Sequence, residues 1–216
     1  MSPATPIITL GEPLIELSVI DSTNMYAMEQ IHAQKALSGS VYQTDFQTSG
    51  KGQHGRVWES QKGENLLCTY ILELKTIKPG VKWGPNDQIG FSAAVALGAQ
   101  SFFGQWAGED TKIKKPNDIY WRDRKAGGIL IENILRGTEW NWTLIGIGFN
   151  INQTQFSIDA GNPVSLKQIT GKEWEIKTMQ KKLAASLSEA LNLWLEQGAD
   201  DTIKKMETQL INIKSL

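Results

Sequence analysis

The order of apolar segments predicts an α+β fold, with a mixed, largely antiparallel sheet and helices packed mainly on one face. Three observations carry this expectation. Runs of β-branched and aliphatic residues recur along the chain and are joined by tight turns, as in hairpins. Helical periodicity occurs early, midway and at the end, and not between every pair of strands. Two helical stretches adjoin at the C-terminal end, which argues against a regular strand–helix alternation.

Taken in order, residues 14–20 (Leu-Ile-Glu-Leu-Ser-Val-Ile) read as a strand. Asp21-Ser22-Thr23-Asn24 offers N-cap side chains, and Met25, Met28 and Ile31 follow at helical spacing, extending a helix to about Leu37. Residues 41–46 and 66–74 are further strands. Asn86-Asp87 can cap a helix that runs through Ala93, Val95, Ala96 and Leu97 to about Phe103. Residues 111–120 form a strand interrupted at Pro116, which cannot donate to a ladder. Residues 129–135 and 140–152 follow as strands around a turn at Arg136-Gly137-Thr138. In the second of these, Trp140, Trp142 and Leu144 are expected on one side, with Thr143, Ile145 and Ile147 on the other. Thr178 caps a helix with Leu183, Leu187, Leu191 and Trp194 on one stripe, Gly198 ends it, and a last helix covers residues 201–210. Repeats, low-complexity tracts and linkers are absent from the sequence. One domain is therefore expected over residues 1–216, with a core at about 14–198 and a helical tail at 199–216.

Composition narrows the function classes. The 216 residues suffice for a sizeable core, and 40% hydrophobic with 21% charged residues is an ordinary globular balance. Twenty-two Lys and Arg against 23 Asp and Glu give a net charge of −1, so no nucleic-acid partner is expected. The single cysteine, Cys68, excludes an intrachain disulfide; its apolar setting reads as a buried structural thiol. Two histidines, His32 and His54, do not make a zinc site. The opening Met-Ser-Pro-Ala-Thr-Pro has no secretory pattern, and residues 91–103 are too short to span a bilayer. The expectation is a cytoplasmic protein with no membrane association.

Five segments carry chemistry. Ser49-Gly50-Lys51-Gly52-Gln53-His54-Gly55-Arg56-Val57-Trp58 interleaves glycines with cations, so backbone N–H groups and side-chain charge can converge on a carboxylate or phosphate. It matches neither the Walker loop nor the dinucleotide fingerprint, and alone it reads equally as a solvated turn. Asp21-Ser22-Thr23-Asn24 is a helix cap whose side chains also suit a neutral polar ligand, and whose free N–H groups attract anions. Lys112-Ile113-Lys114-Lys115-Pro116-Asn117-Asp118 places Lys112 and Lys114 opposite Ile113; in isolation it is a charged edge strand. Arg124-Lys125-Ala126-Gly127-Gly128-Ile129-Leu130 and Gly146-Ile147-Gly148-Phe149-Asn150 put glycines inside strands, which marks a turn or close approach by a ligand or another segment.

In this order, the five segments resemble the motifs of biotin–protein ligases, over about residues 14–198. The resemblance implies a class II synthetase-like catalytic domain that condenses biotin with ATP to biotinyl-5′-AMP. It then transfers biotin to a lysine of a biotin carboxyl carrier domain. Ser22, Thr23, Asn24, Gln47, Gly50, Lys51, Gly52, Gln53, Lys114, Gly127 and Gly128 match the biotin-contacting positions. His54, Arg56, Trp58, Asn117 and Asn150 fall where the family meets ATP or the adenylate, and Lys114 and Arg56 are the implied catalytic residues. A fixed cation at Lys114 offsets repulsion between the biotin carboxylate and the α-phosphate. Arg56 offers a planar fork to phosphate and Trp58 an aromatic cover. Mg²⁺ is implied with ATP, held through phosphates and water and not by protein alone.

The pattern departs from the family in places. Lys115 stands where the family usually has Trp, and His54 where an Arg is common. The repressor-type helix-turn-helix domain, and most or all of a C-terminal SH3-like domain, are not matched by these 216 residues. Because an acyl-adenylate hydrolyses readily, residues 48–60 are expected to order over it when ligand binds. A lipoate or octanoate ligase or transferase of the same fold, and a non-catalytic biotin- or adenylate-binding module, are the competing readings. A homodimer is compatible with the sequence, with residues 140–152 as a candidate edge for pairing with a carrier or a second subunit.

Overall fold

The structure, a computed structural model, describes residues 8–78, 80–137 and 139–211; the opening hexapeptide, Thr138 and the last five positions of the expected tail lie outside them. Seven strands form one sheet: β1 (Leu14–Ile20), β2 (Val41–Gln47), β3 (Asn65–Glu73), β4 (Thr111–Lys114), β5 (Asp118–Trp121), β6 (Arg124–Arg136) and β7 (Glu139–Asn150). Their order is β1-β2-β3-β7-β6-β5-β4. β1 and β2 are parallel, and a parallel pair needs a crossover, here α1 (Thr23–His32). Every other neighbouring pair is antiparallel. The mixed, largely antiparallel α+β expectation is the architecture observed.

The remaining helices are α2 (Leu74–Ile77), α3 (Pro85–Ala107), α4 (Leu166–Thr170), α5 (Ile176–Gln197) and α6 (Ala199–Thr208). Alternation along β3 and β7 sends Cys68, Tyr70, Ile145, Ile147 and Phe149 to the face covered by α3 and α5. Phe149 stacks on Phe103 at 5.3 Å and tilts against Phe102 at 5.2 Å. At Gly98 of α3, a Cβ would lie 3.0 Å from the Leu187 Cα, so α3 and α5 cross backbone to backbone. The α5 stripe Leu183, Leu187, Leu191 and Trp194 is buried as its spacing predicts. Cys68 is fully buried, and burial pushes its thiol from 9.0 up to about 12, so it is structural. On the opposite face a smaller cluster of Ala27, Tyr42, Ile71 and Leu144 seats α1.

Several boundaries differ from the sequence expectation. The first helix ends at His32 and not near Leu37; Gln34 turns the chain with φ 58°. Residues 111–120 are not one interrupted strand but the hairpin β4–β5. α3 starts at Pro85, with Asp87 Oδ2 accepting from the Gly84 N–H at 2.7 Å. α5 starts at Ile176, so Thr178 lies inside it and donates to the Glu175 carboxylate. β7 is not an edge: it is flanked by β3 and β6, and the edges are β1 and β4. Trp140 does not share a face with Trp142, because Leu135 pairs with Trp140 while Ile134 pairs with Trp142, leaving Asn141 bulged. That extra residue turns Trp140 onto the main core, 5.3 Å from Phe91.

Candidate functional site

The register of the sheet assembles the site. Leu67 pairs with Gly148, Gly148 with Gly128, Gly128 with Asp118 and Asp118 with Lys114. Paired residues share a face, so Leu67, Gly148, Gly128, Asp118 and Lys114 form one row across five strands, on the face away from α3 and α5. The neighbouring row runs Thr69, Gly146, Leu130. Three of these positions are glycine, which leaves a strip of bare backbone in the middle of the sheet. The strip is where other segments settle: a Cβ on Gly148 would stand 2.6 Å from the Trp58 ring, and one on Gly146 would meet the Asn24 amide.

One half of the site is a buried polar cradle at the start of α1. Ser22, Thr23 and Asn24 are all nearly inaccessible. Gln47 Oε1 accepts from the Thr23 N–H at 2.8 Å and from its hydroxyl at 3.1 Å. The Thr69 hydroxyl lies 2.8 Å from the Thr23 hydroxyl and donates to Asn24 Oδ1. Asn24 Nδ2 donates to Glu132 Oε2 at 2.7 Å and to the Leu130 carbonyl at 3.3 Å. A chain of partners therefore runs from β2 through α1 and β3 to β6, and fixes every one of these side chains. Thr69 and Glu132 were not anticipated; Thr69 is hidden in an apolar run, and only the pairing of β3 with β7 reveals its role.

The other half is the hairpin at residues 49–58. Its base is tied to the β1–α1 junction by Thr48 N–H to Ile20 O and Ser49 N–H to Asp21 O, each 2.9 Å. Across the hairpin, Trp58 N–H donates to Gly50 O at 2.9 Å and Gly52 N–H to Arg56 O at 2.7 Å. Gly50 must be glycine, since a Cβ would lie 2.5 Å from the Trp58 carbonyl oxygen. At the tip Gln53 is half-buried, and His54 and Gly55 take φ of 56° and 76°. Lys51, His54 and Arg56 are exposed. The hairpin thus holds Trp58 flat on Gly148 and Gly128 and leaves its cations open to solvent.

Lys114 stands at the end of the glycine row, 3.3 Å from the Tyr120 hydroxyl and 4.7 Å above its ring centre. Asp118, between Lys114 and Gly128, pairs with Lys125 at 2.7 Å, and Lys125 lies 5.6 Å from the Trp58 ring centre. Four expected site residues make contacts within the protein itself. Gly127 lies on the core face, where a Cβ would run into the Phe149 ring. Asn117 Nδ2 donates to the Ile129 carbonyl at 2.6 Å, closing the β5–β6 turn. Asn150 is buried, its amide donating to the carbonyls of Lys125 and Val164 at 3.3 Å each. Ser22 is a buried N-cap, its N–H donating to Asp21 Oδ1 at 2.7 Å. Lys115 forms no wall of the site; it reaches solvent, 3.9 Å from Glu207 Oε1.

The geometry on this face is that of a buried neutral-polar cradle, a bare backbone strip with an aromatic cover, and fixed cations beside it. No helix among the described residues is long and apolar enough to cross a membrane. The biotin/lipoate A/B protein ligase family model matches residues 16–150. The bifunctional ligase/repressor BirA of Escherichia coli K12 is 32% identical over 201 residues, covering 91% of this chain and 59% of that protein. BirA of Bacillus spizizenii is 36% identical over 146 residues, 67% of this chain and 42% of that protein. The chain therefore spans about half the length of these curated relatives. The biotin protein ligase from Aquifex aeolicus, solved with biotin and ATP, superposes with a TM-score of 0.75 at 26% identity, covering 93% of this chain and 79% of that one.

Proposed function

The chain belongs to the biotin/lipoate A/B protein ligase family, and from that premise we propose that it activates biotin with ATP and transfers it to a carrier lysine. One observation carries the reading: the register that sets Lys114, Asp118 and the glycine strip in one row also places the α1 cradle beside them. A relative solved with biotin and ATP supports it.

The bicyclic head of biotin, neutral and rich in hydrogen-bonding groups, suits the cradle of Thr23, Asn24 and Gln47. Its carboxylate then extends toward Lys114 past the glycine strip, where Trp58 lies against Gly148 and Gly128. In the first step a carboxylate oxygen bonds to the α-phosphorus of ATP, the bond to the β-phosphate oxygen breaks, and pyrophosphate leaves. Lys114 acts on this step as a fixed positive charge, offsetting repulsion between the anions and stabilising charge on the phosphoryl oxygens. Arg56, Lys51 and His54 are the cations available to the departing phosphates, and Trp58 covers the product. In the second step a neutral carrier lysine attacks the acyl carbon and AMP leaves.

Mg²⁺ would be held mainly by the phosphates and water, where it would offset their charge, and Asp118 is the carboxylate in the row that would contact it. The carrier is a biotin carboxyl carrier domain, the setting is cytoplasmic where ATP is available, and a homodimer is the proposed assembly. Pyrophosphate release with ATP, Mg²⁺ and either biotin or lipoate tests the reading. Release is expected with biotin alone, reduced about 10²–10³-fold in Lys114→Ala. Release with lipoate only, or full activity in Lys114→Ala, would overturn it.

A further inference from the structure

Lys114 ends a four-residue edge strand, and Pro116 stands two residues beyond it, so β4 by itself is a weak platform for a group whose position matters. Its outer edge is nevertheless paired. After α6 the chain runs parallel to β4, with Ile113 N–H donating to Gln209 O and Ile211 N–H donating to Ile113 O, each at 2.9 Å. Both backbone groups of Ile113 are thereby held, and its side chain is fully buried in the core. The flanking lysines are tied to the same segment: Lys112 Nζ lies 3.4 Å from Gln209 Oε1, and Lys115 Nζ 3.9 Å from Glu207 Oε1. Lys112, Ile113 and Lys115 all contact residues 207–211, while Lys114, on the face opposite Ile113, is left to the site.

We infer that residues 209–211 form a positioning strap for Lys114. The strap touches no reacting atom. It acts through Ile113, fixing the backbone from which Lys114 projects and so the place of its ammonium relative to Asp118 and the glycine strip. The inference rests on the ligase reading for its kinetic consequence and on geometry alone for its structural one. Displacing an oriented charge by about 1 Å is enough to cost up to about 10²-fold in rate.

Ile211→Pro in the full chain removes the N–H that donates to Ile113 O, and Ile211→Val keeps it. The strap predicts that Ile211→Pro lowers kcat for biotin-dependent pyrophosphate release about 10–100-fold, with the biotin KM within about twofold, and that Ile211→Val restores it. Trace acetylation read by mass spectrometry adds a readout free of turnover. Lys114 labelling should change at least about threefold in Ile211→Pro while exposed Lys62 stays constant, because a released strand re-exposes its side chains. If Ile211→Pro fails to fold by circular dichroism, the double variant Glu207→Ala/Gln209→Ala carries the test through the same two readouts, with a loss of about threefold in kcat. Wild-type kcat and wild-type Lys114 labelling in the folded variant would overturn the strap, as would a rise in KM alone. A wild-type protein without biotin-dependent release would overturn the ligase reading instead, and labelling would still decide the strap.

Discussion

The two halves of the site meet at the glycine strip but are built in opposite ways. The cradle of Thr23, Asn24, Gln47, Thr69 and Glu132 draws on four elements, is buried, and has its polar groups paired with one another. The hairpin at residues 49–58 is closed by its own backbone, is tied to the β1–α1 junction at its base, and exposes Lys51, His54 and Arg56. A preorganised half loses little entropy when a neutral ligand binds and sets which acid is admitted. An adjustable half can fold over charged groups that change during the reaction. Under the proposed function, selectivity for the acid would fall to the cradle and coverage of the adenylate to the hairpin.

Substitutions that cross this division should separate the two roles. Asn24→Ala removes one acceptor of the Thr69 hydroxyl and the donor to the half-buried Glu132 carboxylate, and should cost about 1–3 kcal/mol in urea unfolding while raising the KM for biotin. Gly148→Ala puts a Cβ 2.6 Å from the Trp58 ring and should lower kcat/KM for ATP about tenfold with stability changed by less than about 1 kcal/mol. Equal losses of stability in both variants would erase the distinction between the halves. Arg56→Ala, in the exposed hairpin, should leave stability within about 0.5 kcal/mol and lower kcat/KM for ATP about three- to tenfold, the difference shrinking as salt is raised. The smallest effect is a control on β3, the strand that carries Thr69. Cys68, with its thiol pushed up to about 12, should resist iodoacetamide at pH 8 with or without ligands until the protein unfolds. The sign of its linkage is set by the same shift. The buried thiol stays neutral while the unfolded one ionises from its ordinary 9.0, so stability is full below pH 9 and falls as pH rises toward 12.

The contrast also explains what could be read in the sequence. The hairpin is local, so its glycines, cations and Trp58 stand together in the chain and were legible as one unit. That Lys114 lies opposite Ile113 followed from alternation alone, whereas its place in one row with Gly128 and Gly148 depends on the pairing of β4, β5, β6 and β7. The cradle is non-local. Thr69 and Glu132 look like ordinary strand residues until β3, β7 and β6 are placed side by side. For the same reason the central position of β7 and the bulge that turns Trp140 into the core were not legible, because both depend on partners far away in the chain. Asn117 and Asn150 show the converse: residue types that suit a nucleotide, yet here brace backbone carbonyls.

The central claim is that the cradle and the hairpin act on one acyl-adenylate. Incubating the protein with Mg²⁺, ATP labelled at the α-phosphate, and biotin, then separating nucleotides by thin-layer chromatography, tests it directly. A labelled biotinyl-AMP that forms with biotin, is absent with lipoate, and stays bound to wild-type protein but escapes from Gly148→Ala is the predicted result. No labelled adenylate with biotin, or an adenylate formed only with lipoate, would contradict it.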